Sequence, residues 1–198
     1  TKVLDRQSVK GKIEFKNVKF GYDEDRMIIK NFSAVAQPGQ KIAIVGPTGA
    51  GKTTMVNLLM KFYEINSGDI LIDGVSVHNL SRENVHDLFT MVLQDTWLFA
   101  GTIKENIIYN REHVTKDQVL KVCDTVGLTH FIKTLPKGIN TEIGENDSIS
   151  SGQRQLITIA RGMIEPTPFL ILDEATSNVD TRTEEIVQKA MDKLAHGR

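Results

Sequence analysis

The segment that determines the architecture of this chain reads Gly46-Pro47-Thr48-Gly49-Ala50-Gly51-Lys52-Thr53. It fits the pattern G-x-x-x-x-G-K-[ST] at every fixed position. The glycines allow the backbone to curl so that successive N–H groups point at anionic oxygens. Lys52 supplies a mobile charge suited to the β- and γ-phosphates, and the Thr53 hydroxyl is a hard oxygen ligand suited to Mg²⁺. The segment therefore predicts a site for a nucleoside triphosphate.

The flanking residues have the patterns that such a loop requires. The apolar run KIAIV at 41–45 predicts a strand, and 53–62 has helical character. The start of that helix would present free N–H groups and the positive end of its dipole to the phosphates. A glycine-rich turn that matches the pattern by chance is the alternative, and the strand–loop–helix context disfavours it.

A second candidate site follows the apolar segment Phe169-Leu170-Ile171-Leu172. The segment predicts a strand that is buried on both faces, and open α/β sheets bind ligands where such strands end. Asp173 is then placed to hold Mg²⁺, and Glu174 to orient or deprotonate an attacking water. The alternative, that the acidic pair only caps the segment after the strand, is disfavoured by the phosphate loop in the same chain.

The remaining elements indicate an α/β protein with a helical insertion. Strands are predicted at 13–18, 31–37, 69–72 and 89–93, with a turn at Asp73-Gly74. Helices are predicted at 82–88 with Ser81 as N-cap, 102–108, 116–126, 150–164 and 181–195. From about 96 to 154 strands become scarce. We therefore expect one domain over 1–198, with a catalytic core at about 1–95 and 155–198 and a helical subdomain at about 96–154.

Composition and charge narrow the class of protein. Lys and Arg number 24 and Asp and Glu 25, so the formal net charge is −1. This balance argues against a nucleic-acid-binding protein and against a polybasic membrane-surface patch. No apolar run approaches the ~18 residues that span a bilayer, so we expect a soluble chain. The single cysteine, Cys123, excludes an intrachain disulfide, and its helical spacing from Val119 and Val126 predicts a buried thiol.

Between the two candidate sites lies Ile149-Ser150-Ser151-Gly152-Gln153, followed by Arg154-Gln155. This segment resembles the signature L-S-G-G-Q of the ATP-binding cassette (ABC) family, in the exporter-like form L-S-x-G-Q-R-Q. The order of phosphate loop, signature and acidic strand is also that of the family, and the resemblance covers essentially the whole chain. Ile149 and Ser151 depart from the usual Leu and Gly, and the spacing from Gly144-Glu145-Asn146 to Ser150 is one residue short.

The resemblance implies a P-loop NTPase (RecA-like) core with an antiparallel β subdomain and an inserted helical subdomain. It further implies that two ABC domains pack head to tail, with the signature of one closing over the ATP of the other. Ser150 and Gly152 fit that role because hydroxyl and N–H donors at a helix start can face a γ-phosphate. An ordinary N-capped helix, with Ser150 as the cap, is the alternative.

Further residues acquire roles from the family pattern. Tyr22 matches the aromatic residue that stacks on adenine, or is a core or surface tyrosine. Gln94 matches the glutamine that senses Mg²⁺ and faces the membrane domain, or is a solvated loop residue. Asp180 matches a loop that communicates across the dimer, or is an N-cap. The full set of nucleotide contacts that the resemblance implies is Tyr22, Gly46, Pro47, Thr48, Gly49, Ala50, Gly51, Lys52, Thr53, Thr54, Ser150, Ser151, Gly152, Gln153 and Asp180. The implied catalytic residues are Glu174, Gln94 and Lys52, and the implied Mg²⁺ ligands are Thr53, Gln94 and Asp173.

Two stretches favour an exporter within the family. Residues 94–107 resemble the exporter segment after the glutamine. Residues 141–145 resemble the exporter loop that touches the intracellular coupling helices. The alternative for Glu142 or Glu145 is a plain solvated loop charge. We therefore expect an ATPase at the cytoplasmic face of a membrane, joined to a transmembrane domain and independent of nucleic acid. An importer ATPase, or a soluble ABC protein that acts on DNA or ribosomes, is the alternative.

The family also places a histidine on a strand just beyond the position of Arg198. His196 lies before that strand and does not match it. We therefore expect that residues 1–198 lack the C-terminal strand of the fold and show weak or no ATPase activity by themselves.

Overall fold

The structure, a computed structural model, describes residues 1–46, 51–92, 97–144, 149–173 and 181–198. Its strands are β1 Ile13–Asp23, β2 Arg26–Ala36, β3 Ser67–Ile72, β4 Val75–Ser76, β5 Phe89–Val92, β6 Gly101–Thr102, β7 Glu142–Ile143 and β8 Phe169–Leu172. Its helices are α1 Lys52–Leu59, α2 Arg82–Asp87, α3 Ile103–Ile108, α4 Lys116–Val126, α5 Thr129–Lys133, α6 Ser151–Ile164 and α7 Thr181–Ala195. None of these helices has the length and apolar character that crossing a bilayer requires.

The described chain forms two compact units. The first comprises Thr1–Phe89, Thr167–Phe169 and Gly197–Arg198, and the second comprises Thr90–Pro166 and Leu170–His196. The expected division into a core and a helical subdomain at about 96–154 stays a prediction.

The first unit contains an antiparallel sheet in the order β2-β1-β3-β4. Ile13 pairs with Ala36 on one side and with Ile72 on the other. The predicted turn at Asp73-Gly74 joins β3 to β4, with φ of 48° and 79°, as a tight Asp-Gly hairpin requires. The Asp73 carboxylate also accepts hydrogen bonds from the N–H groups of Lys10, Gly11 and Lys12 at 2.5, 3.1 and 2.9 Å. This one side chain therefore ties the start of β1 to the hairpin.

The predicted strand at 41–45 is wrong. Residues 41–46 form no regular element, and Ile42, Ile44 and Val45 are exposed. An apolar run becomes a strand only where a neighbouring strand supplies hydrogen-bond partners and where something covers its side chains. The described residues supply neither of these to this segment.

The helix after the phosphate loop is shorter than predicted. α1 ends at Leu59 with Met60 as its C-cap, and Lys61 takes a φ of 58°. A left-handed residue at this position terminates a helix, so Phe62 and Tyr63 lie beyond it.

The second unit is built around four helices. The buried apolar faces of α3, α4, α6 and α7 pack into one core that includes Ile107, Cys123 and Ile157. Cys123 is 1% exposed, and burial raises the pKa of its thiol to about 11, which confirms the predicted core thiol. On α7 the buried residues Val187, Ala190, Met191 and Leu194 recur at helical spacing. Ile186 is exposed.

β5 and β8 pair side by side. Phe169 N donates to Leu88 O at 3.1 Å and Asp173 N donates to Val92 O at 2.9 Å. Residue numbers therefore increase in the same direction along both strands, and the strands are parallel. The prediction that β8 is buried on both faces is wrong. Only Phe169 is buried, and the other three residues are half-buried, because β5 is the one strand that pairs with β8 in the described ranges.

Candidate nucleotide site

The phosphate-binding segment is described at its two ends, Gly46 and Gly51, and Pro47, Thr48, Gly49 and Ala50 lie outside the described residues. Gly51 is the N-cap of α1 with φ 92° and ψ 12°, a left-handed conformation that favours glycine. A Cβ at Gly51 would also lie 3.2 Å from Ile28 Cγ2. The glycine of the motif therefore meets both a conformational and a steric requirement where the helix begins.

The first turn of α1 presents two candidate ligands to solvent. Lys52 and Thr53 are exposed, whereas Thr54 is buried. The N–H of Met55 donates to Gly51 O at 2.9 Å, so the N–H groups of Lys52, Thr53 and Thr54 precede the first helical hydrogen bond. Free N–H groups, an ammonium and a hydroxyl at a helix start are the donors that bind a phosphate chain.

Tyr22, the candidate base-stacking residue, lies beside this helix. Its phenol oxygen is 3.2 Å from Thr54 Oγ1. Its ring meets the rings of Phe20 and Tyr63 nearly at right angles, at centroid distances of 4.9 and 5.1 Å. Tyr22 is 49% exposed, so a large part of the ring is open to solvent. The structure thus brings Tyr22 and Thr54 together, as two contacts of one nucleotide should be.

The signature segment begins α6. Ser150 is its N-cap and is exposed; its Oγ accepts from Gln153 N at 3.1 Å, and Gln153 Oε1 accepts from Ser150 N at 3.0 Å. This capping box confirms the N-cap interpretation of Ser150. The cap uses a lone pair of the hydroxyl and does not consume its proton. Ser151 is exposed and Gly152 is buried. The role of these four residues against a nucleotide stays a prediction.

Asp173 follows β8 as expected. Its main-chain N–H is bonded to Val92 at the end of β5, and its side chain is exposed. Glu174, Gln94, Asp180 and Glu145 lie outside the described residues. The exposed Asp173 carboxylate and the exposed Thr53 hydroxyl are hard oxygen donors of the kind that Mg²⁺ prefers. Each of these two side chains fits Mg²⁺ in chemical type.

The two exporter-like stretches meet in the structure. β6 and β7 pair, with Gly101 opposite Ile143 and Thr102 opposite Glu142. Ile103 N also donates to Thr141 O at 3.0 Å, and Thr102 caps α3 through a capping box with Glu105. Residues from two stretches about 40 residues apart in the chain thus pair with each other in a small antiparallel sheet.

Two features escaped the sequence analysis. Tyr63 belongs to the ring cluster around Tyr22, but an aromatic pair just beyond a helix is too common to single out. Arg161 donates from Nε to Asn106 O at 2.7 Å, a contact across 55 residues. Neither contact follows from the local spacing of residues.

Comparisons with known proteins identify the family to which the chain is similar. Residues 29–177 match the profile of the ABC transporter family. The chain is 52% identical over 189 residues to the fatty acid ABC transporter ATP-binding/permease protein of Mycobacterium tuberculosis, which covers 95% of this chain and 30% of the relative. It is 44% identical over 189 residues to the probable multidrug resistance ABC transporter ATP-binding/permease protein YheH of Bacillus subtilis, over 95% of this chain and 28% of the relative.

A solved structure of a bacterial Atm1-family ABC exporter with ATP bound superimposes with a TM-score of 0.87 at 38% identity, over 99% of this chain and 34% of that one. The chain thus spans about a third of the length of the relatives that it matches. At this identity and coverage the likeness extends to the mixed α/β fold of the ATP-binding part of an exporter. The chain belongs to the ABC transporter family.

Proposed function

We propose that this chain is the ATP-hydrolysing domain of an ABC exporter, and that it drives transport across a membrane through ATP-dependent closure on a second ABC domain. The observation that carries the proposal is the start of α1, where a left-handed Gly51 is followed by exposed Lys52 and Thr53 within a complete phosphate-loop motif. Family membership and the exporter relatives support the same function.

Phosphoryl transfer asks the protein mainly for alignment and for neutralisation of charge. In the proposed site Lys52 and the amides of 46–53 bind the phosphates, and Tyr22 stacks on the base. Thr53, Asp173 and Gln94 would hold Mg²⁺, which would supply charge neutralisation to the phosphate chain. Glu174 positions the attacking water and accepts its proton.

The second ABC domain completes the site. Ser150 and Gly152 of that domain donate to the γ-phosphate from the start of α6, and Asp180 lies at the same interface. ATP contacts both domains when they are closed and only one when they are open, so its binding shifts the equilibrium towards closure. Hydrolysis removes the bridging phosphate and reverses the shift.

The transmembrane domain is proposed from the fused architecture of the relatives, whose names describe ATP-binding and permease parts in one protein. In such a protein this chain lies at the cytoplasmic face of the membrane. The pairing of β6 with β7 supports an exporter over an importer or a soluble ABC protein, because it joins residues from both exporter-like stretches.

The test is Glu174→Gln in the intact protein. We expect ATP hydrolysis to fall about 10²- to 10⁴-fold, while Mg-ATP stays bound and remains with the protein through gel filtration. Lys52→Ala is the control and should lose both hydrolysis and ATP retention. Normal hydrolysis by Glu174→Gln would overturn the proposed mechanism, and unchanged ATP affinity in Lys52→Ala would overturn the proposed site.

A further inference from the structure

We propose that Tyr63 is a positioning residue for the nucleotide base, which acts by holding the ring of Tyr22 in place. This inference rests on the proposed function, in which Tyr22 stacks on the base. It concerns a residue outside the sequence motifs described above, and it assigns Tyr63 an effect on the base alone and not on the phosphates.

The ring geometry is the first support. Phe20, Tyr22 and Tyr63 form a three-ring cluster in which the centroid of Tyr63 lies 5.1 Å from Tyr22 and 5.9 Å from Phe20. The planes of Tyr22 and Tyr63 are 83° apart, the edge-to-face arrangement that aromatic pairs prefer. Phe20 is buried, whereas Tyr22 and Tyr63 are 49% and 47% exposed. Tyr63 therefore supports Tyr22 at the surface, where the buried Phe20 alone leaves the ring partly uncovered.

The segment that carries Tyr63 is itself fixed to β1, which is the second support. Asn66 N donates to Lys19 O at 2.8 Å, and Asn66 Oδ1 accepts from Gly21 N at 3.0 Å. These two hydrogen bonds fix the backbone on both sides of Phe20. At the other end, Phe62 N donates to Asn57 O at 2.9 Å in the last turns of α1. Because Tyr63 lies between two anchored positions, it is a firm support for a neighbouring ring.

The tip of Tyr22 is fixed separately. Its hydroxyl is 3.2 Å from Thr54 Oγ1, and Thr54 is buried in α1 directly after Thr53. The hydrogen bond sets the position of the ring relative to the phosphate-binding turn, and the contact with Tyr63 sets its tilt. A ring held in one rotamer before binding loses less conformational entropy when the base arrives. Removing Tyr63 should therefore weaken binding of the base and leave binding of the phosphates unchanged.

The experiment compares two ligands on the intact protein. Dissociation constants are measured by calorimetry for Mg-ATP and for Mg-tripolyphosphate, which keeps the phosphate chain and lacks the base. We expect Tyr63→Ala to weaken Mg-ATP binding about 3- to 10-fold, the size of one aromatic pair, and to leave tripolyphosphate binding unchanged. Tyr63→Phe should bind ATP like the wild type, because it keeps the ring. In ATP hydrolysis Tyr63→Ala should raise KM and leave kcat unchanged.

A double-mutant cycle shows whether Tyr63 acts through Tyr22. We expect the combination of Tyr22→Ala with Tyr63→Ala to bind ATP no more weakly than Tyr22→Ala alone. Phe62→Ala is the matched control: Phe62 is the preceding aromatic residue and is 46% exposed, but its ring packs on His86 at 5.2 Å. It should leave ATP affinity unchanged. Tyr63→Leu, which keeps side-chain bulk, replaces Tyr63→Ala if the latter fails to fold in thermal unfolding.

The outcomes separate the inference from the function on which it rests. Additive losses in the cycle would mean that Tyr63 touches the base itself, and equal losses for ATP and tripolyphosphate would mean a merely structural role. Either result overturns the inference and leaves the proposed function standing. If Tyr22→Ala itself leaves ATP affinity unchanged, the base-stacking assignment of Tyr22 fails and the inference fails with it.

Discussion

A single buried amide, that of Asn106, binds the backbone of Phe99 and Thr102 just before α3. Asn106 is fully buried; its Nδ2 donates to Phe99 O and Thr102 O at 3.0 Å, and its Oδ1 accepts from Phe99 N at 3.0 Å. Arg161, from α6, donates to the carbonyls of Asn106 and Trp97 at 2.7 and 3.2 Å. Its guanidinium also lies 5.2 Å from the centre of the Tyr109 ring. A planar group with several fixed donors can serve all these partners at once.

This geometry predicts that Arg161→Lys destabilises the protein although it conserves the charge. An ammonium cannot reproduce the fork of donors or the flat contact with a ring, so we expect a loss of about 1–3 kcal/mol in the free energy of unfolding. The measurement is urea unfolding of the wild type and the variant. Arg182→Lys, at the exposed start of α7, should change stability by less than about 0.5 kcal/mol. Equal stability of Arg161→Lys and the wild type would show that the hydrogen bonds of Arg161 are dispensable.

Residues whose environment is set locally could be predicted from the sequence, and residues held by distant contacts could not. Cys123 lies at helical spacing from two valines, so its burial follows from the period of α4. Tyr63 and Arg161 contact partners that lie 41 and 55 residues away in the chain. No pattern within one element records such partners.

The same contrast holds among the elements. α3, α4 and α6 each begin with a capping box, made by Thr102 and Glu105, Thr115 and Gln118, and Ser150 and Gln153. Such a start is readable from four consecutive residues, and all three helices were predicted close to their true bounds. Two strand predictions were less accurate: residues 41–45 form no strand, and 169–172 form a strand that is not buried on both faces. A strand depends on the neighbours that pair with it and cover it.

The shared caps allow the function of Ser150 to be separated from its structural role. Asp is as good an N-cap as Ser or Thr, so Ser150→Asp and Thr115→Asp should both keep their helices and change the unfolding temperature little. Only Ser150→Asp places a negative charge where the proposed γ-phosphate must bind. We therefore expect Ser150→Asp to lose ATP hydrolysis and ATP-dependent closure on the second domain.

Thr115→Asp is the matched control for this variant and should hydrolyse ATP at the wild-type rate. Hydrolysis is measured by phosphate release, and helix integrity by circular dichroism. Wild-type hydrolysis by Ser150→Asp would mean that Ser150 is a cap and nothing more, which is the alternative that the sequence left open.

On the scale of the whole molecule, the candidate residues divide between the two compact units. Tyr22, Lys52 and Thr53 lie in the first unit, and Ser150 and Asp173 lie in the second. The sequence order identifies both groups, but it does not say whether Ser150 serves the nucleotide bound by its own chain or one bound by another. The answer depends on how the chains assemble. If each site is shared between two copies, co-expression of two inactive variants should restore some activity.

Complementation between two inactive variants tests the composite site. Lys52→Ala removes the phosphate-loop half and Ser150→Asp removes the signature half, so each variant alone should hydrolyse little ATP. In a mixed dimer one site combines both defects, while the other combines the intact loop of one copy with the intact signature of its partner. Random pairing of two co-expressed variants would restore about a quarter of the wild-type sites, so ATP hydrolysis by the mixture should exceed the sum of the two variants. Combining both substitutions in one copy and pairing it with itself gives the control, which should stay inactive.

If co-expression restores no ATP hydrolysis, then either one copy supplies both halves of the site or the partner is a different ABC domain. Measuring ATP hydrolysis after co-expression of Lys52→Ala with each candidate partner ABC domain in turn would then decide between these two arrangements.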